Sequence, residues 1–166
     1  MLDLLGKTAA RQGHALHDAL VARARAPVFY TAFAVPDTID GRFDLIALHG
    51  WLALSVLTAG GHDKAAQGLT DAIFIGFDEA MREQGSGDMG LGRKMKAFAN
   101  AFYGRVSVYE TAATPDDLAA ALAKNLWRGA APDGRAAVLA AYALAARESL
   151  KLSVPATLDF GPLPTL

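Results

Sequence analysis

The sequence contains no cysteine. This absence excludes disulfide bonds, thiolate metal sites and cysteine nucleophiles, and it fits a reducing compartment. The strict alternation of apolar and polar residues that marks a half-buried strand is also missing. The N-terminal residues MLDLLGK lack the order of basic and then apolar residues that a secretory signal requires. We therefore expect a cytoplasmic protein without β-sheet.

A marked excess of either charge is absent as well. The 16 basic and 17 acidic residues give a net charge of −1, so bulk attraction to DNA or to anionic lipid is not expected. What the chain does have is apolar residues, which make up 52% of its 166 residues. That content suits one domain, residues 1–166, with a substantial core.

Alanine-rich segments with apolar residues at helical spacing predict an all-α bundle of about six or seven helices. Glycine, proline and capping residues separate the helices; Asp37 or Thr38 can cap the third segment, and Thr114 the sixth. The predicted helical segments are Leu4 to Ala24, a short piece from Pro27 to Phe33, a segment ending at Gly60-Gly61, a segment from a cap at Asp63 to Gly85, a segment carrying Met95 to Tyr109, one from Thr114 to Gly129, and one from Pro132-Asp133 through Leu152.

The C-terminal tail, residues 153–166, contains three prolines and is predicted to be non-helical. Its apolar residues indicate packing on the body of the protein or on a partner; they are Leu158, Phe160, Leu163 and Leu166.

The stretch from Leu45 to Gly61 carries no Asp, Glu, Lys or Arg. It is at the short end of the roughly 20 residues that a membrane-spanning helix needs, and it includes His49, Ser55 and Thr58. We therefore predict a central helix that its neighbours bury on all sides.

Residues 85–90 spell G-x-G-x-x-G, but no strand precedes them as a dinucleotide fold requires. The predicted structure for residues 85–92 is a flexible connection between two helices. His14 and His17 share a helix without further ligands at a convincing spacing, so no metal, cofactor or catalytic site is expected.

The flanking helices differ in charge. Residues 71–81 are acidic, with Asp71 and Asp78 on one helix face, whereas residues 82–105 are basic. Asp78 and Arg82 have the spacing of a helical ion pair. Two interpretations remain open: antiparallel helices that neutralise each other, or a polar rim around an exposed apolar patch. The acidic helix has one main apolar stripe, formed by Leu69, Ile73, Phe77 and Met81. Phe74 and Ile75 lie off that stripe, so a second neighbouring element is needed to bury them.

A set of short matches to a known pattern extends over roughly Tyr30 to Asn125. The matching residues are Phe43-Asp44-Leu45, Leu48-His49, Asp71, Phe74, Asp78, Arg82-Glu83, Gly85, Gly87-Asp88-Met89, Gly92-Arg93-Lys94-Met95-Lys96, Ala101-Phe102-Tyr103-Gly104-Arg105 and Tyr109. In its order and spacing this set resembles the ubiquinol–cytochrome c chaperone family. Gly76 departs from the pattern, where a polar or acidic residue is expected.

The resemblance implies a non-catalytic helical domain of the bacterial type. Mitochondrial relatives assist assembly of respiratory complex III, binding newly made cytochrome b with a small partner at the ribosome. It therefore implies nascent cytochrome b, and a ribosome or small protein, as partners. Contact with the cytoplasmic side of the inner membrane is also open, because Lys7, Arg11, Arg23 and Arg25 make the opening helix basic.

The hypothesis assigns Phe74, Phe102 and Tyr103 as apolar partner contacts. The proposed rim charges are Asp78, Arg82, Lys94, Lys96 and Arg105. Phe102 also shares the core stripe of its helix with Phe98, so burial is its alternative. The rival functions are a small helical enzyme or ligand-binding protein with a phosphate site at residues 85–92, and a permanent structural subunit of a complex.

Overall fold

A computed structural model describes residues 2–85 and 87–166, apart from the side chains of Leu2, Asp3 and Asp88. Seven helices and no strand occur in that part of the chain. The helices are α1 Leu2–Ala24, α2 Val28–Thr31, α3 Ile39–Ala59, α4 Asp63–Glu83, α5 Asp88–Glu110, α6 Pro115–Trp127 and α7 Arg135–Ser153. The all-α prediction and the expected number of helices are confirmed.

Helix α3 forms the centre of the bundle and contacts α1, α4, α5, α6 and α7. Its buried residues lie on every side of the helix, from Phe43 to Leu57, which confirms the predicted all-round burial. Among the described residues it is the one helix long and apolar enough to cross a membrane, a property shared by core helices of this kind. Among the residues whose side chains the structure describes, the buried polar or charged ones are Asp44 and His49, both on α3.

Helices α1 and α4 approach closely at two glycines. A Cβ on Gly13 would lie 2.3 Å from the carbonyl oxygen of Gly68, so the backbones touch where no side chain fits. Further along the same contact, a Cβ on Gly76 would lie 3.0 Å from the His17 ring. The glycine that departs from the family pattern is thus matched to a bulky neighbour on α1.

The caps follow the sequence signals at two helices and depart from them at a third. The Thr38 side chain accepts a hydrogen bond from the Gly41 amide, and Thr114 forms a reciprocal capping box with Asp117. The predicted cap at Asp63 is wrong. The N-cap of α4 is His62, which makes no capping bond, and Asp63 is the first helical residue.

The connection between α4 and α5 is shorter than predicted. Gly85 adopts a left-handed conformation (φ +83°) and ends α4, but α5 already begins at Asp88. Gly90 and Gly92 are therefore helical, and the predicted flexible segment 85–92 is wrong in its second half. A phosphate loop needs consecutive free backbone amides, but the amides of Gly90 and Leu91 donate to the Gly87 carbonyl in the first turn of α5. Ser86 lies outside the described residues.

The tail leaves α7 at Val154 and is non-helical, as predicted. Leu158 and Phe160 are buried against the bundle, whereas Leu163 and Leu166 are exposed. Gln12 and Arg23 of α1 donate hydrogen bonds to the carbonyls of Pro155 and Gly161. The first part of the tail therefore packs on the body, and the expected packing of Leu163 and Leu166 does not occur there.

Candidate functional site

Aromatic rings form a continuous cluster where α3, α4 and α5 meet. Phe77 stacks on Phe98 with ring centroids 4.7 Å apart, and both contact Phe43. Phe74 lies 5.8 Å from the Tyr103 ring and 5.8 Å from the Phe102 ring. The cluster exists because α4 and α5 each place aromatic residues at helical spacing on the sides that face each other.

Part of this cluster reaches the surface. Phe74, Phe77 and Phe98 are half-buried, and Tyr103 is 50% exposed. These four residues are called the aromatic face below. Ile75 and Val108 are also exposed on the same two helices. An apolar surface of this kind is typical of partner recognition.

Phe102 does not belong to the aromatic face. Its side chain is fully buried, and its ring would meet a Cβ on Gly50 of α3 at 3.1 Å. The assignment of Phe102 as a direct partner contact is therefore corrected to core packing. Phe74 and Tyr103, assigned with it, contact each other at the surface.

The end of the α4–α5 hairpin is basic and rich in methionine. Met81, Met89 and Met95 are three of the four methionines in the chain, and Met89 is 99% exposed. Arg93, Lys94 and Lys96 are exposed on the first turns of α5. Residues 81–96 are called the hairpin tip below.

The predicted ion pair between Asp78 and Arg82 is present. The Arg82 Nε lies 2.9 Å from the Asp78 Oδ2, and both side chains are partly exposed. Exposed pairs at this spacing contribute little stability. Asp78 and Arg82 thus place mixed charge where the aromatic face meets the hairpin tip.

Arg105 occupies a different position from the one expected of a rim charge. Its Nε donates a 2.6 Å hydrogen bond to Asp44 Oδ1, and its guanidinium lies 4.8 Å from the centroid of the Phe43 ring. Arg128, the left-handed C-cap of α6, donates a 2.8 Å bond to Asp44 Oδ2. Burial raises the pKa of Asp44, and the two guanidinium groups oppose that rise. Arg105 is therefore part of a buried charge cluster that joins α3, α5 and α6.

His49 is buried on another side of α3. Its Nδ1 lies 2.8 Å from the Leu45 carbonyl oxygen, which can only accept, so Nδ1 carries the proton. Nε2 then accepts from the Tyr142 hydroxyl at 2.9 Å. Burial lowers the pKa of His49 to about 4, and the ring is neutral at pH 7. This histidine is a satisfied core group.

The aromatic face is a surface and not a pocket. Two crevices, of about 380 and 440 Å³, lie elsewhere, one between α1 and α4 and the other near Tyr30 and Arg42. The described residues include no group of three or more metal-ligating side chains that could hold an ion. The geometry of the aromatic face suits an apolar segment of another protein better than a small ligand.

The family model described as Ubiquinol-cytochrome C chaperone matches residues 31–158. The chain belongs to this chaperone family. The chain is also similar to a solved structure, the crystal structure of the Cbp3 homolog from Brucella abortus, with 34% identity and a TM-score of 0.77. The similarity covers 90% of this chain and 86% of that one. No curated protein matches the chain.

Membership of a chaperone family implies a client protein. Several residues that carried the resemblance meet in space: Phe43 and Asp44 on α3 contact Phe77 and Arg105 on α4 and α5. Sequence reasoning missed the Asp44–Arg105 pair. Its signal was an acidic residue directly before the apolar run of α3, where a charge needs a buried partner.

Proposed function

We propose that this protein is a non-catalytic assembly chaperone that binds newly made cytochrome b and assists assembly of respiratory complex III. Family membership supports the chaperone role. The observation that carries the client-binding part is the aromatic face, which leaves Tyr103 half exposed beside Phe74 on a folded, well-packed bundle. Localisation in the cytoplasm, with peripheral contact at the inner membrane, belongs to the same proposal.

The chemistry of the surface fits such a client. Cytochrome b is a membrane protein whose apolar helices lack lipid before insertion. Aromatic rings supply large apolar contact area, and the unbranched, exposed side chain of Met89 on the hairpin tip adapts to irregular apolar partners. An apolar helix lying along α4 and α5 would contact the aromatic face and then Met89.

The charges of the hairpin tip support a second partner type. Arg93, Lys94 and Lys96 lie close together near the start of α5. They form a local basic patch on a chain whose net charge is −1. Such a patch attracts the acidic surface of a small partner protein or the RNA of a ribosome. The proposal assigns this role to Lys94 and Lys96, and it leaves Arg105 out because that residue is paired with Asp44.

The rival functions receive less support from the geometry. The enzyme hypothesis required a phosphate loop at residues 85–92, and residues 88–92 are helical. A permanent structural subunit would need the same exposed apolar surface. The structural-subunit hypothesis predicts a stoichiometric partner that stays bound during purification, whereas a chaperone releases its client.

The test is photo-crosslinking in the native cells with a photoreactive amino acid at position 103. We expect cytochrome b to be captured from position 103 and not from position 144, since Leu144 is exposed on α7, which packs on α3 and α6. Tyr103→Glu should abolish co-purification of cytochrome b, and Leu144→Glu, the matched control, should not. Capture of some other complex from position 103 would refute the choice of client.

The basic patch has a separate test. Lys94→Glu/Lys96→Glu reverses two exposed charges, and Lys124→Glu, on the exposed side of α6, is the control. We expect the double variant to fold and to lose ribosome or small-partner association, most clearly at low salt. If every partner interaction survived in the folded double variant, the assignment of Lys94 and Lys96 would be wrong.

A further inference from the structure

The tail begins with a turn at residues 154–156 and then lies in a groove of the bundle. Residues 157–160 alternate exposed and buried side chains, as an extended segment does. Residues 154–166 contain no helix or strand, and Leu158, Phe160 and Pro164 are their buried side chains. The Phe160 ring stands edge-on to the His49 ring, 5.2 Å away, and 5.7 Å from the Arg23 guanidinium. The groove is therefore formed by α1, α3 and α7, and Phe160 closes it.

The floor of this groove is polar and aromatic, unlike the rest of the core. His49 and Tyr142 are hydrogen-bonded to each other, and the Phe29 ring contacts both. Arg23 donates a 2.6 Å bond to the Gly161 carbonyl. Its guanidinium also lies close enough to the Tyr142 hydroxyl to lower the pKa of that group against the rise that burial causes. The floor therefore holds a backbone carbonyl, through Arg23, as well as an aromatic ring.

The tail is suited to reversible release. Its side chains anchor it at Leu158 and Phe160, and no ladder of backbone hydrogen bonds ties it to the bundle in the described residues. Terminal segments that no backbone ladder ties down open at a lower free-energy cost than the whole fold. Pro155, Pro162 and Pro164 restrict the released chain, which lowers the entropic penalty of rebinding.

We propose that the tail is an internal pseudo-client: the groove takes up an extended, apolar, aromatic-bearing segment of the client when the tail leaves. This inference rests on the proposed function. The chemistry of the client segment is inferred from the tail, which occupies the groove now. In the tail, Leu158 and Phe160 alternate with polar residues, and Gly161 supplies the carbonyl that Arg23 binds. A bound tail keeps the groove closed until a client competes for it.

A reversible lock on the tail tests the proposal in the full-length protein. A Cβ on Gly161 would lie 3.3 Å from the Cβ of Ser149 on α7, close to the separation in a disulfide. Because the chain has no cysteine, Ser149→Cys/Gly161→Cys creates a single pair that oxidation closes and reduction opens. Gly161 has φ +72°, so Gly161→Cys alone is the matched control for backbone strain.

The probe is a synthetic peptide with one apolar segment of cytochrome b, and binding is followed by fluorescence anisotropy. We expect the oxidised lock to bind it at least about ten-fold more weakly than the reduced form, because release of the tail is a prerequisite that reduces apparent affinity. Phe160→Ala should bind more tightly than the wild type. In the wild type, the peptide should speed hydrogen exchange at the amides of Asp159 and Gly161, which are bonded within the closed tail.

The outcomes separate this proposal from the proposed function. One outcome is that the oxidised and reduced lock bind the peptide equally, while the peptide slows hydrogen exchange in α4 and α5 and leaves exchange in the tail unchanged. That result would overturn the pseudo-client proposal and leave client binding at the aromatic face in place. Absence of binding by the wild type, Phe160→Ala and the reduced lock alike would overturn both. Loss of binding on oxidation of the lock but not of the Gly161→Cys control would establish the tail as a competitor of the client.

Discussion

Replacing Arg105 by methionine should destabilise this protein far more than replacing Arg128, although both arginines pair with the same carboxylate. The Asp44 side chain is 1% exposed, Arg105 is 20% exposed and Arg128 is 53% exposed. Methionine keeps the apolar stem of Arg105 and removes its charge. The variant leaves the buried carboxylate with one solvent-exposed partner.

The magnitude follows from that burial. Breaking a fully buried ion pair costs about 3–5 kcal/mol, and the remaining Arg128 bond reduces this for Arg105→Met to about 2–3 kcal/mol. Loss of the contact with the Phe43 ring adds about 0.5–1 kcal/mol. For the largely exposed Arg128, Arg128→Met should cost no more than about 1 kcal/mol.

Urea unfolding at pH 7, followed by circular dichroism, measures both values. The pH dependence gives a second check. Without Arg105, burial raises the pKa of Asp44 further above its unfolded value, so the folded state holds its proton more tightly. The stability of Arg105→Met relative to wild type should therefore fall as pH rises from the unfolded-state pKa of Asp44 to its folded-state pKa, and recover on acidification. Equal costs for the two arginine variants, or a deficit that grows on acidification, would refute this account.

Two further predictions concern packing and His49. Gly13→Ala should lower the free energy of unfolding by about 2 kcal/mol or more, because its Cβ would overlap the Gly68 carbonyl. Gly6→Ala is the control: no atom lies near its Cβ, so it should leave the free energy of unfolding unchanged or raise it by up to about 1 kcal/mol. Thermal melts measure both variants. Stability should fall as pH drops from 6.5 towards 4, by at most about 3 kcal/mol from His49, because the unfolded chain binds that proton first. His49→Gln should flatten this slope in urea titrations, and an unchanged slope would assign it to the carboxylates.

Much of the fold could be predicted because its signals are local. The capping residues at Thr38 and Thr114, and the apolar content of α3, each depend on a few neighbouring residues. The N-terminus of α5 could not be placed by the same reasoning. Glycines at 90 and 92 have low helix propensity, but tertiary packing of Leu91, which is buried, outweighs it.

The candidate site was predictable only in part, because exposure depends on contacts between distant segments. Phe74 and Phe102 have similar sequence surroundings, yet Gly50 of α3 makes room for Phe102 alone. Arg105 follows an aromatic run and resembled a rim charge, but Asp44 lies 61 residues away in the sequence. A periodic pattern identifies the helix face of such residues and not the partner that covers it.

The burial of Arg105 and Phe102 gives α5 two different halves. Its C-terminal half is fixed by Phe102, Arg105 and Tyr109, which pack against α3 or pair with it. Its N-terminal half carries the exposed basic residues and Met89, and contacts mainly the half-buried aromatic residues of α4. A hairpin with a fixed base and a tip that exposes Met89 can adapt to different apolar segments without unfolding the bundle. Substitutions at the base should therefore lower client binding through loss of stability, whereas Tyr103→Glu should lower it in a protein of unchanged stability, and unfolding curves measured beside the binding assays distinguish the two.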